Sequence, residues 1–144
     1  MTSFLENMER LTEENFTIND PLFCTAVHEV THMLAVKATR NVVTEVSIKP
    51  QGPSLGHTSA RFYGTEEEQD YDFATALPAG FVGEEMFGIN DHSGTGHDMS
   101  VLERIAKKYS LSKFHFFERV RSILPSKEVI ESYARSLRRQ LVFS

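Results

Sequence analysis

Residues 23–36 read FCTAVHEVTHMLAV, an apolar run interrupted by Thr25, His28, Glu29, Thr31 and His32. Just upstream, Asp20-Pro21 is a helix-start signal. Asp accepts a backbone N–H as N-cap, and Pro at the first helical position gives up no hydrogen bond that it needed. The spacing therefore predicts one helix from Asp20 to about Thr39. Within it His28-Glu29-Val30-Thr31-His32 is an HExxH pattern. On a helix, residues four apart lie about 5 to 6 Å from one another on one face, so both imidazoles can reach one zinc ion. Glu29 sits beside the first imidazole, where its carboxylate can take a proton from an attacking water instead of ligating the metal.

Outward from this helix, Val42 to Lys49 alternates in the period of a half-buried strand, Pro50 to Gly56 reads as a loop, and His57 to Tyr63 returns as a second strand. Residues 66–87 are helical in pattern, with Pro78 as a kink and Ala76, Gly80 and Gly83 as a small-residue stripe that invites a close helix neighbour. A glycine-rich loop over residues 88–96 follows, then helical patterns over 98–109, 112–124 and 126–141. The fold class expected is mainly α (α+β), with a small β-hairpin or sheet insert near residues 42–63. Residues 1–19 read as an N-terminal arm or short helix, and 20–144 as one domain.

Composition narrows the function classes. At 144 residues the chain is one domain in size, and 40% hydrophobic residues with eleven Phe suffice for a packed core. A net charge of -5 has the wrong sign for nonspecific phosphate-backbone contact, so nucleic acid is not expected as a partner. No stretch of about 18 apolar residues occurs, so no membrane span is expected. The N-terminus carries no secretory pattern. A lone cysteine, Cys24, can close no intramolecular disulfide, and a cytoplasmic location is expected.

A catalytic zinc site needs a third protein ligand and an open position. Asp91, His92, His97 and Asp98 are the downstream candidates, Asp98 standing at the start of a predicted helix. Four ordered segments resemble the peptidase domain of FtsH-type AAA zinc metalloproteases. FCTAVHEVTHMLAV is similar to its HEAGH helix, and VTEVSIKPQGPSLGHTS to its VxxVTIIPRGxALGxT strand and loop. AGFVGEEMFG is similar to GGRxAEExxFG, and SGTGHDMSVLERIA to STGAxNDLxxATxIA. The likeness spans roughly Phe23 to Ala106. No P-loop, ATPase module or membrane anchor accompanies it. Thr31 stands where the family has glycine, and His97 where it usually has asparagine.

The resemblance implies a helical zincin-like peptidase domain. It implies one zinc ion per chain on His28, His32 and Asp98, Glu29 as general base, and Glu84 orienting a ligand imidazole, with Glu85 a solvated charge. It implies a substrate edge around Val46, Ile48 and Gly56, where an extended peptide would add as a strand. The expected function is ATP-independent endopeptidase hydrolysis of unfolded or flexible polypeptide. A separate ATPase or adaptor partner and a homo-oligomer are compatible with it. Two other readings stand beside it: a non-catalytic zinc-bearing peptide-binding or adaptor module of the same fold, and a structural protein whose HExxH is a polar face. Cys24 reads as a small buried hydrophobe, while His57, His92 and His115 have no partner assignable from spacing.

Overall fold

The computed structural model describes residues 3–5, 20–50 and 55–144. The expected N-terminal arm, apart from residues 3–5, and the loop where it runs through 51–54, lie outside the described residues. The central element is helix α1, Pro21–Ala38. As the sequence signals, Asp20 caps it by accepting from the Leu22 N–H at 3.1 Å, and Pro21 opens its first turn. Arg138 near the chain's other end also donates to Asp20 at 2.7 Å, tying the cap to the last helix.

Strands β1 (Val42–Ser47), β2 (His57–Arg61) and β3 (Val142–Phe143) form an antiparallel sheet in the order β2-β1-β3. Val46 pairs with Thr58 on one side and with Phe143 on the other. An irregularity between Val43 and Glu45 shifts the β1–β2 register. The expected hairpin insert is thus present, with a third strand that the sequence pattern does not signal. Its geometry comes from Leu141, which ends the last helix in the left-handed conformation (φ 68°) and turns the chain back onto β1.

The helical remainder comprises α2 (Glu66–Ala76), α3 (Ala79–Met86), α4 (Gly96–Lys108), α5 (Lys113–Ile123) and α6 (Lys127–Gln140). Thr65 and Glu68 close a reciprocal capping box on α2, and Ser112 and Ser126 cap α5 and α6. The single helix expected over 66–87 is two helices. Pro78 supplies no N–H, and the break at Leu77-Pro78 is complete.

Helix α1 packs against α3 on one flank and α6 on another, which accounts for a helix apolar almost all round. Two apolar clusters result. One joins Ala35 and Val36 to α2, α3, α4 and α5; the other joins Phe23, Val27 and Val30 to Val46, Ile48 and α6. Close approach of α1 and α3 depends on the small-residue stripe. A Cβ built on Gly83 would lie 2.3 Å from Thr31 Cγ2, so the branched side chain at 31 is accommodated by the absence of one at 83. No helix among the described residues is long and apolar enough to cross a membrane.

Candidate metal centre

Helix α1 brings His28 and His32 to the side facing α2, α3 and the start of α4. Their Nε2 atoms lie 3.0 Å apart. Asp98, in the first turn of α4, places Oδ2 3.1 Å from His32 Nε2 and 3.5 Å from His28 Nε2. Three ligand atoms thus form a triangle. Bonds of about 2.0 to 2.1 Å at tetrahedral angles would set such atoms about 3.3 Å apart, so the triangle has the edge lengths of a tetrahedral metal site. Of the four downstream candidates, Asp98 is the one that joins the two histidines in a group able to hold a metal ion.

The opposite faces of both rings are already engaged. His28 Nδ1 lies 3.0 Å from Glu84 Oε1, and His32 Nδ1 lies 2.8 Å from the Ala76 carbonyl. Both partners are acceptors only, so each Nδ1 carries the proton and each Nε2 of a neutral ring presents a lone pair. Two lone pairs and a carboxylate oxygen then converge on one point, which calls for a cation. The donor set therefore fits a divalent metal. The Ala76 carbonyl is available because it ends α2, where the last turn's carbonyls lack intrahelical donors. Pro78 thereby contributes to the site: the break that it imposes leaves a carbonyl facing His32.

Without a metal, protons serve as the cation. Burial works against charging His28, but hydrogen bonds to Asp98 and Glu84 override it and raise its pKa to about 10. For Asp98, burial favours the neutral acid, but hydrogen bonds from His28 and His32 win and hold its carboxyl well below the usual range. The pair behaves as a charged unit.

Glycine governs the fit of His28. A Cβ on Gly80 would fall 2.3 to 2.7 Å from three atoms of the His28 ring, so α3 can pass the imidazole only where it lacks a side chain. Glu84, one turn further along α3, is 5% exposed and reaches the ring from the same helix. It thus contacts the imidazole of His28, one of the residues of the candidate metal group. Its neighbour Glu85 is exposed and reaches Arg121 at 3.4 Å, the solvated charge expected.

Glu29 is 7% exposed and lies on the adjoining side of α1. Its Oε1 accepts from Thr58 Oγ1 at 2.8 Å. Two clefts meet at this point. The first, about 570 Å³, runs from His28, Glu29 and His32 past Gly56 and β2 to an apolar end at Phe62, Phe73 and Val101. The second, about 530 Å³, leaves His28 and Glu29 in the other direction, past Cys24, Thr25, Leu55 and Asp91. Gly56, Gly94 and His97 border both.

The substrate edge requires correction. Val46 and Ile48 are fully buried in the core, and β1 there is paired on both sides, to β2 and to β3, with the Ile48 N–H bonded to Leu141 O. Neither residue can receive an extended peptide. The strand bordering the cleft is β2, whose far edge has no strand partner among the described residues. The alternating pattern of β1 marks a buried face correctly but does not distinguish a central strand from an edge. Gly56 does border the clefts, and a Cβ there would lie 3.2 Å from Glu29 Cγ.

Other singled-out residues divide. Asp91 is exposed and accepts from the Ser93 N–H in a loop turn. His92 packs against the Phe81 ring, its Nδ1 3.6 Å from Glu84 Oε1. His57 pairs with Glu45 at 2.7 Å, and His115 with Tyr71. Cys24 is half-buried beside the second cleft and outside the three-residue group. Sequence reasoning missed Thr58, the Ala76 carbonyl and the bearing of Gly80 on His28. Gly80 carries a signal, since it belongs to the small-residue stripe, but that stripe predicts helix approach and not contact with a ring. No protein-family model matches the chain, and no match to a curated protein is found.

Proposed function

We propose that this chain is a zinc metalloendopeptidase domain with a zincin-like fold akin to the FtsH peptidase domain, hydrolysing peptide bonds in unfolded or flexible polypeptide. One observation carries the reading. The Nε2 atoms of His28 and His32 and Oδ2 of Asp98 converge within 3.0 to 3.5 Å, with a buried carboxylate, Glu29, next along the same helix. A set of two imidazoles and one carboxylate favours zinc among divalent metals of this geometry, and leaves a fourth position open.

Zinc bound there would polarise the scissile carbonyl and acidify a coordinated water. The chain's own residues do the rest. Glu84 and the Ala76 carbonyl hold the two imidazoles in the ligating tautomer. Glu29 accepts the proton of the attacking water and returns it to the leaving amine, so that the carbon–nitrogen bond breaks with no net change in the enzyme. Clefts extending in both directions from Glu29 let a polypeptide continue past the cut on either side, which supports internal cleavage over removal of terminal residues. The outer edge of β2, which has no strand partner among the described residues, offers main-chain hydrogen bonds that are tolerant of sequence.

The test is to compare wild type with Glu29→Gln, loaded with zinc, on unfolded proteins and peptides. The reading expects about one zinc per chain in both and cleavage in wild type alone. Equal cleavage in the two would overturn the mechanism, and zinc binding without cleavage in either would favour a non-catalytic peptide-binding module.

A further inference from the structure

Glu29 has three rotatable side-chain bonds, and the described lining of both clefts holds no Lys or Arg to anchor its carboxylate. Something must nevertheless hold its carboxylate in one place. We infer that Thr58 is the positioning residue for Glu29, fixing one carboxylate oxygen from strand β2 so that the other faces the reaction. This inference rests on the assignment of Glu29 as general base.

The geometry is specific. Thr58 Oγ1 lies 2.8 Å from Glu29 Oε1 and 3.1 Å from Glu29's own carbonyl oxygen. A hydroxyl has one proton, and the nearer, charged acceptor takes it. Glu29 Oε2 has no hydrogen-bond partner among the described residues, which leaves it to receive a proton from water. The arrangement is rigid on both sides. Thr58 is β-branched, with a restricted χ1, and its backbone is paired to Val46, itself fully buried. Gly56, two residues earlier on the same approach, lets the backbone close on Glu29 Cγ.

Register decides which residue performs this role. Thr58 and Ala60 are half-buried toward α1 and the cleft, while Ser59 and Arg61 are exposed on the outer face. A slip of one residue would carry the Thr58 hydroxyl to the outer face. The strand whose outer edge has no strand partner among the described residues is also the strand that holds the base. A peptide adding to β2 would therefore stiffen the element on which Glu29 depends, coupling substrate binding to base position.

Two measurements test this. In zinc-loaded protein, Thr58→Val should lower kcat about 10- to 100-fold with KM changed less than about threefold, the scale expected for a misplaced reacting group. Thr58→Ser, which keeps the hydroxyl, should restore kcat to within about threefold. If Thr58→Val cleaves like wild type while Glu29→Gln is dead, the inference fails and the peptidase reading stands. If wild type does not cleave, both fail. Separately, in metal-free protein, Thr58→Val should shift the unfolding midpoint less in a Glu29→Ala background than in wild type. Equal shifts would overturn the hydrogen bond itself.

Discussion

Replacing Gly80 by alanine adds one methyl group at the closest approach between α3 and the candidate metal centre. The new Cβ would stand 2.3 Å from the nearest atom of the His28 ring, where ordinary contact begins at 3.4 Å. The ring or the helix must therefore yield by about 1 Å. His28 has little room to do so, since Nδ1 is held by Glu84 at 3.0 Å and the residue is only 9% exposed. Metal–ligand distances tolerate deviations of about 0.2 Å, so a displacement of this size removes His28 from the ligand set. Zinc affinity should fall at least about 100-fold, which is about 3 kcal/mol. Competition against a chromophoric chelator measures it, with His32→Ala as a lost-ligand reference. Gly96→Ala serves as control, because a Cβ there meets nothing within 4 Å. Thermal unfolding of the metal-free proteins separates ligand displacement from overpacking, which alone costs about 1 to 3 kcal/mol. A Gly80→Ala protein that binds zinc within threefold of wild type would refute the placement of His28 against α3.

Two further outcomes follow from the same contacts. Because the pKa of His28 in the metal-free protein lies at about 10 against an ordinary 6.5, its contribution to stability is full below pH 6.5 and is lost as pH rises through 10. The melting temperature of metal-free protein should fall over that interval, while zinc, which must displace the same proton, should bind more tightly at pH 8 than at pH 6; calorimetry in buffers of different ionisation heat should register proton release. Gly83→Ala, whose Cβ would meet Thr31 Cγ2 at 2.3 Å, should destabilise the fold by about 1 to 3 kcal/mol in denaturant unfolding, and adding Thr31→Ala should recover part of that loss. Full additivity of the two would show that α1 and α3 do not meet there.

What could be read from the sequence was local. Asp20-Pro21 announces α1, and HExxH places two imidazoles on one helical face without further information. Asp98 needed more, since Asp91, His92 and His97 compete with it on spacing, and only the turn from loop into α4 decides which carboxylate comes within 3.1 Å of His32. Val46 and Ile48 show why strand pattern alone misleads: alternation reports a buried face, while edge or centre depends on partners far away in sequence, here the two residues of β3. Thr58 was silent for a similar reason. Its contact with Glu29 spans 29 residues and passes through the β1–β2 register. The Ala76 carbonyl belongs to the backbone, which no side-chain pattern can display; Pro78 hints at a break but not at what the freed carbonyl will meet.

That junction has a mechanical meaning. The residue closing α2 orients one histidine, and the glycine that opens the way into α3 makes space for the other, so a five-residue corner, Ala76 to Gly80, grips both imidazoles at once. Each ring depends on the same corner staying seated against α1. Loosening it would release the two rings together and not one after the other, so that occupancy of the centre becomes a report on whether a single helical corner is docked.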